Sequence, residues 1–414
     1  MADLNGVNIA KGKLGANLLG ASDTISGIVI GSVAAPSLAL NTPRVVYNLK
    51  DVEKLGITPQ FDIDNKVHVF RHLSEFYRNA GEGIELYLML VAQTTTISTI
   101  CDVDARPLLL FAKGKIRQLA IAINVTEATS PVMLDGLPTD VQNGIPKAQG
   151  LANWAFDNKM PCQVFLEGYA YGGDASTVSN LREIVNVKAT KVSVFIGQDY
   201  GYAKNQSIKN RKKYADVGTL LGICSKAKVN QNVGNNEEFD ITDATKGSWL
   251  EPGLSSHQKN TDVYHDLQTL EDKAFLFGVE YTGLAGVRIN NDHTCVEIIQ
   301  DSDNSTNEHS IAYGRTKDKA IRGLRNVYLP KVKTDWPIDP KTGKLPPGVV
   351  VALEDLGDEV FENMVKRGEL SYGKTIVDKD SDLLIDKVLK VSFEIVPKGS
   401  IGEVSGTINL KTSI

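Results

Sequence analysis

The sequence predicts an α/β fold of mixed-sheet domains with helices, plus extended N- and C-terminal strand-donating arms. Three observations carry this. Apolar strand-like runs alternate with helical periodicity through most of the chain, the order that builds a parallel or mixed sheet with helices packed on it. Near the C-terminus, Leu389, Val391, Phe393 and Ile395 alternate with Lys390, Ser392 and Glu394, the period of a half-buried strand. Beyond it, Val404, Ile408 and Leu410 share one parity with Gly402 and Gly406. A strand with so little to bury needs another edge to pair with.

Taken in order, residues 1–23 are polar and glycine-dotted, with one alternating patch, Val7-Asn-Ile9-Ala-Lys11, that makes an N-terminal arm. A strand spans 24–31. The next helix has Asn48 as N-cap and Gly56 just past its end. Val67, Phe70, Leu73, Phe76 and Tyr77 recur at helical spacing, so an amphipathic helix runs to Gly81. A buried strand follows at 84–92, then a helix over 96–113 whose course Pro107 perturbs. Further strands are expected at 117–124, 162–167 and 191–197, with helices at 139–158 and at 214–229, the latter opened by Asp216. Residues 230–260, rich in Asn, Gly, Ser and Thr, read as a surface excursion.

From about Leu270 the texture changes. Strands at 273–281 and 287–290 flank a glycine turn, and a basic amphipathic helix covers 307–329. Pro330, Pro337, Pro340, Pro346 and Pro347 then punctuate the chain. A helix over 349–367 puts Val350, Leu353, Val360, Phe361 and Met364 on one face, with Glu354, Asp355, Asp358, Glu359 and Glu362 on the rest. The expected division is 1–23 as N-terminal arm, 24–270 and 271–398 as two domains, and 399–414 as C-terminal arm.

Composition narrows the function. The 414 residues carry a net charge of −5, 42% hydrophobic and 23% charged content, ordinary globular values without the basic surplus of a nucleic-acid binder. No signal peptide or apolar run of membrane-spanning length is visible, which predicts cytoplasmic folding. Cys101, Cys162, Cys224 and Cys295 are too dispersed for a disulfide framework or compact zinc site and read as reduced core thiols.

Chemical motifs are sparse. Gly368-Glu-Leu-Ser-Tyr-Gly373-Lys374-Thr375 matches the P-loop pattern, but a helix precedes it and Asp378, Asp380 and Asp382 follow, so a glycine-containing turn is the better account. His68, His72 and Glu75 have helical metal-ligand spacing without a further ligand nearby. Asp301, Asp303 and Ser305 begin like a calcium loop, but Thr306 and Ala312 replace its glycine and its bidentate Glu. The basic cluster Lys204, Lys209, Arg211, Lys212 and Lys213, with Tyr200, Tyr202 and Tyr214, reads as a solvated face. No enzyme, metal or cofactor is expected, and a chain of this size without a catalytic pattern works through its surfaces.

Several segments in order resemble the contractile tail-sheath proteins of phages and phage-tail-like injection systems, in their short prophage subfamily. These are Asn48-Leu-Lys-Asp-Val-Glu-Lys-Leu-Gly-Ile57, Glu85-Leu-Tyr-Leu-Met89, Val217-Gly-Thr-Leu-Leu-Gly222 and Lys226-Ala-Lys-Val-Asn-Gln-Asn-Val-Gly234. Gly286-Val-Arg-Ile-Asn-Asn-Asp-His-Thr294, Lys319-Ala-Ile-Arg-Gly-Leu-Arg325 and Ile338-Asp-Pro-Lys-Thr-Gly-Lys-Leu345 continue the series. The resemblance implies a structural subunit that polymerises as stacked six-fold rings around an inner tube and contracts to drive it through a target envelope. It implies an outer domain over 24–270, with its first strands open to being shared with the inner domain, and an inner, tube-facing domain over 271–398. Arms carrying Val7 and Ile9, and Val404, Ile408 and Leu410, would add strands to the Leu389–Val391–Phe393–Ile395 sheet of neighbours. The helix bearing Glu354, Asp355, Asp358, Glu359, Glu362 and Lys366 would face the tube. Implied partners are copies of itself, the inner tube, and baseplate and terminator or cap proteins, without nucleic acid or membrane insertion. Assembly would occur in the bacterial cytoplasm as part of a phage tail or injection particle. The competing readings are a P-loop NTPase through 368–375 and a stand-alone α/β binding module.

Overall fold

The computed structural model describes residues 21–126, 130–184 and 188–411; Val7 and Ile9 of the expected N-terminal arm lie outside the described residues. Six strands form the principal sheet: β1 (Ser26–Ser32), β2 (Arg44–Val46), β3 (Leu86–Ala92), β4 (Gln118–Ala122), β5 (Gln163–Glu167) and β6 (Val192–Phe195). Their spatial order is β2-β3-β1-β4-β5-β6, all parallel except the antiparallel edge strand β2. Alternate side chains serve opposite faces. Val29, Met89, Leu119, Ile121 and Val164 enter one core, while Ile28, Ile30, Leu88, Leu90 and Phe165 enter the other. Burial on both faces explains why these strands read as continuous apolar runs.

Helices cover both faces. α1 (Leu49–Lys54) is capped by Asn48, whose side-chain oxygen accepts from the Asp51 N–H at 2.9 Å. α2 (Pro59–Asn65), capped by Thr58, is too short to show in the periodicity. α3 (Val69–Ala80) ends at Gly81 as expected. The 96–113 region is helical with a wide π-type turn at Ile100–Asp104 before α4 (Ala105–Phe111). That turn lies just upstream of Pro107, where the chain must accommodate a ring and a missing N–H. α5 (Thr139–Asp157) and α6 (Val217–Lys226) complete the layers. Asp216 precedes α6 but does not cap it; its carboxylate is bound instead by Arg71 Nε at 2.8 Å.

Two expectations need correction. Residues 230–260 are not a surface excursion, because Val233, Phe239, Ile241, Trp249 and Leu254 are all buried. Polar residues make the turns, and the apolar anchors between them are too irregularly spaced to show a period. The first body also continues past 270. Phe275, Leu276, Phe277, Val287 and Ile289, in and around the hairpin of β7 (Gly278–Tyr281) and β8 (Leu284–Ile289), belong to the cores of the principal sheet.

The second body is built on α7 (Ile311–Tyr328). The start of α7 is embedded in the first body, where Lys191 Nζ meets Asp318 at 2.8 Å and Arg315 donates to the Ala227 carbonyl at 3.1 Å. Its later part, through Ala320 and Leu324, packs with Phe361 and Met364 of α8 (Pro347–Lys366). An antiparallel hairpin, β9 (Leu370–Val377) and β10 (Val391–Pro397), lies against both helices. Leu353 and Val377 join a smaller apolar cluster with Trp336 and Leu389. All four cysteines are buried free thiols, and burial pushes Cys162 and Cys295 up to about 12.

The close approach of α6 to α3 generates a paired prediction. A Cβ at Gly218 would overlap the backbone carbonyl of His72, whereas one at Gly150, inside α5, meets nothing. Gly218→Ala should therefore destabilise by about 1–3 kcal/mol. Gly150→Ala should stabilise by about 0.5–1 kcal/mol. Urea midpoints that move in the same direction for both would contradict this packing.

Candidate assembly interface

In doubly wound sheets, ligands sit beyond the carboxyl ends of the strands where the strand order reverses, here between β1 and β4. This protein fills that place with its own side chains. Asn124 donates to the Gly31 carbonyl at 2.7 Å and accepts from the His68 N–H at 2.8 Å. Glu167 accepts from the Ile123 and Ala215 N–H groups at 2.7 and 2.9 Å. The buried Arg71 guanidinium binds Asp216, reaches Asp199 at 3.3 Å and lies 4.3 Å from the Tyr202 ring centre. The remaining void measures about 10 Å³, scarcely one water.

The sequence's other chemical candidates are absorbed in the same way. Glu75 is held by Arg78 at 2.6 Å, Thr219 at 3.0 Å and the Trp249 indole at 3.1 Å, so it is no free ligand. His68 donates from Nε2 to the Arg211 carbonyl at 3.0 Å and stacks on Tyr214 at 4.3 Å. No group of three His, Cys, Asp or Glu among the described residues is placed to hold a metal ion. The basic cluster is partly structural rather than wholly solvated, since Arg211 is buried and donates to the Val67 carbonyl at 3.0 Å. Asp301 Oδ1 accepts from the Ser305 N–H at 2.8 Å, closing a surface turn.

The P-loop pattern has the wrong geometry. Only Gly368 occupies a turn, with φ of 73°; from Leu370 the chain is in strand β9. Lys374 is committed to Asp358 at 2.5 Å, and the chain after Thr375 stays in the strand to Val377, so no helix N-terminus faces the pattern. The expected glycine turn is thus confined to the first residue of the match.

The hairpin that contains Lys374 has two unlike edges. On the β9 side, Asp358 Oδ1 accepts from the Thr375 N–H at 2.7 Å, and Glu354 Oε1 accepts from the Val377 N–H at 3.0 Å. Four residues of helix rise about 6 Å and two residues of strand about 6.6 Å, so the two carboxylates match alternate N–H groups. On the β10 side, no strand pairs among the described residues. A cavity of about 1040 Å³ opens there, lined by Val391 and Phe393 of the second strand, Leu389 just before it, Leu324 and Tyr328 of α7, and Trp336. Arg325, Lys331, Lys333 and Lys387 give it a basic rim.

The expected site residues fall accordingly. Leu389, Val391 and Ile395 are half-buried, while Phe393 packs its ring toward Tyr328 and Phe361 at 5.9 and 6.3 Å. Within the helix, Asp355, Glu359, Glu362 and Lys366 are exposed, but Glu354 and Asp358 are turned to the hairpin. Residues 401–410 do not form the expected strand in the isolated chain. Val404, Ile408 and Leu410 are 85%, 93% and 100% exposed, without a hydrogen-bond partner among the described residues. Sequence reasoning missed the edge caps, although Glu354 and Asp358 stand at i and i+4, a like-charge spacing that an isolated helix disfavours. The cavity left no sequence signal.

The DUF2586 N-terminal domain profile matches residues 4–293 and the DUF2586 C-terminal domain profile matches residues 309–414. No curated protein matches the chain. Among solved structures, the helical sheath of the anti-feeding prophage in its contracted state is similar at 13% identity and a TM-score of 0.58, over 100% of this chain and 99% of that one. A chain of the 6-fold symmetrised anti-feeding prophage baseplate gives 13% identity and a TM-score of 0.58, with 100% of both chains covered. A sheath tail protein from Desulfitobacterium hafniense is 8% identical with a TM-score of 0.51, over 95% of this chain and 100% of that one. The mixed α/β fold is therefore that of sheath proteins from end to end.

The plugged crevice makes a pH prediction. Burial pushes His72 from 6.5 down to about 4, so the folded protein keeps the ring neutral while the unfolded chain takes up a proton near pH 6.5. The stability that goes with the neutral ring is complete above pH 6.5 and is lost as pH falls toward 4, by roughly 3 kcal/mol. His72→Leu should flatten that slope in urea titrations at successive pH values; an unchanged slope contradicts the assignment.

Proposed function

The chain belongs to the DUF2586 family, and we propose that it is the structural subunit of a contractile tail sheath. The likeness of the whole chain to a contracted helical sheath carries this reading. In it, subunits stack as six-fold rings around an inner tube and contract by rigid-body rearrangement, driving the tube through a target envelope. The partners are other copies, the tube, and baseplate and terminator or cap proteins. Assembly takes place in the bacterial cytoplasm, and no chemical step by the protein is required.

Three features support the reading. Among the described residues, a hairpin edge without a paired strand and a solvent-exposed tail suit the two halves of a strand-exchange contact. About six backbone hydrogen bonds at ~0.5–1.5 kcal/mol each give roughly 3–9 kcal/mol per arm before ordering costs, marginal alone and ample when repeated through a lattice. Helix α7 is embedded in both bodies, which suits a subunit that moves as a unit. With the arms at 1–23 and 399–414, the first body makes the outer domain, and the second faces the tube through Asp355, Glu359, Glu362 and Lys366. Their net negative charge favours a basic tube surface.

Two outcomes test this. Negative-stain microscopy of the protein with its tube partner should show ring-stacked sheaths, and a chain truncated after residue 400 should stay folded, by circular dichroism and melting temperature, yet make none. Normal sheaths from the truncation would overturn the arm assignment. Glu359→Lys with Glu362→Lys should abolish tube binding while leaving subunit stability within about 0.5 kcal/mol; unchanged co-sedimentation with the tube would remove that face from the contact.

A further inference from the structure

We propose that Lys319 and Asp23 condense into an intramolecular isopeptide bond, with Glu369 moving a proton and Arg322 holding the carboxyl group, so that an ion pair formed on folding becomes a covalent tie between the two bodies. Three segments far apart in sequence supply the groups. Lys319 Nζ, on α7, lies 2.5 Å from Asp23 Oδ2 and 2.6 Å from Glu369 Oε1. None of the three side chains is more than 10% exposed, so little water competes for them. Arg322 donates to the other oxygen of Asp23, Oδ1, at 3.2 Å. The residues that follow in the chain, Ala320 and Leu370, belong to the apolar cluster of the second body.

The step balances without a co-reactant. The ammonium passes one proton to Asp23 Oδ2, which leaves a neutral amine against a neutral carboxyl group. The amine lone pair forms a bond to Asp23 Cγ, and negative charge builds on Oδ1, where the Arg322 guanidinium already donates. The nitrogen, now carrying an extra proton, gives it to Glu369. Glu369 returns that proton to Oδ2, the Cγ–Oδ2 bond breaks, and water leaves. One ammonium hydrogen stays on the amide nitrogen, and the charges of the pair vanish together. Groups held in contact react with effective molarities that reach about 10⁵–10⁸ M. Loss of a buried charge pair also removes its desolvation cost.

A second set of the same residue types lacks these features. Lys191 Nζ meets Asp318 at 2.8 Å, Glu308 at 2.7 Å and the Gly314 carbonyl at 3.2 Å, so each of its hydrogens has an acceptor. Lys319 has only the two carboxylates among the described residues. The second oxygen of Asp318 takes the Gln163 amide at 3.3 Å in place of a guanidinium. The bond at Lys319 would close residues 23–319 into one ring and fasten the entrance of β1 to the helix shared by both bodies. The inference does not depend on the sheath reading.

The test is intact-mass spectrometry of the full-length protein, denatured before measurement. The chain should be lighter than its linear polypeptide by one water. Trypsin should release residues 14–44 joined to residues 318–322, with no cut after Lys319. Lys319→Arg keeps a cation beside both carboxylates and should have the full mass. In a time course after cell-free synthesis, Glu369→Gln should lose water about 100-fold or more slowly than wild type. Should either variant fail to fold, the mass and peptide map of the wild-type chain still decide. A wild-type chain of full mass, water lost at another pair (Lys191 with Asp318 included), or a loss that persists in Lys319→Arg would each overturn the proposal. A Glu369→Gln chain that reacts at the wild-type rate would overturn the part assigned to Glu369.

Discussion

One buried ammonium joins the parts of this molecule. Lys319, on α7, reaches Asp23 at 2.5 Å and Glu369 at 2.6 Å. Asp23 stands at the entrance to the first strand of the large sheet, and Glu369 immediately before the β9–β10 hairpin. Arg322 adds a contact to Asp23 at 3.2 Å. Such a group is costly to bury, and its value lies in geometry, because any arrangement that separates the partners strands a charge in the interior. The orientation of the second body on the first is set there and by Lys191 with Asp318 and Glu308.

Given that orientation, the second body can specialise in contact with other molecules. Its hairpin is small, two strands on two helices, and would be unstable without α7 anchored elsewhere. The carboxylates of α8 divide their duties by position. Glu354 and Asp358 are spent on strand N–H groups, leaving Asp355, Glu359 and Glu362 to solvent. A single acidic helix thus closes one edge and displays charge on the opposite side.

Much of the fold was legible in the sequence because the relevant periods are local. The doubly buried strands, the Asn48 cap, the helix ending at Gly81 and the alternation through Leu389 and Ile395 each announce themselves within a few residues. What was not legible depends on partners distant in the chain. Asp216 looks like a cap until Arg71, 145 positions away, is placed beside it. Residues 230–260 look like a loop until Phe239 and Trp249 find the sheet. The acidic face of α8 looks uniform until Thr375 and Val377 select two of its members. The cavity is a property of three separated segments and has no sequence signature.

The four thiols carry a last implication. Each is inside a core, and burial disfavours the thiolate at Cys101, Cys162, Cys224 and Cys295 alike. Disulfide exchange needs an accessible thiolate. An oxidising medium would therefore find no ready thiol on the described surface, and cross-linking of one copy to another through these cysteines would have to wait for a core to open.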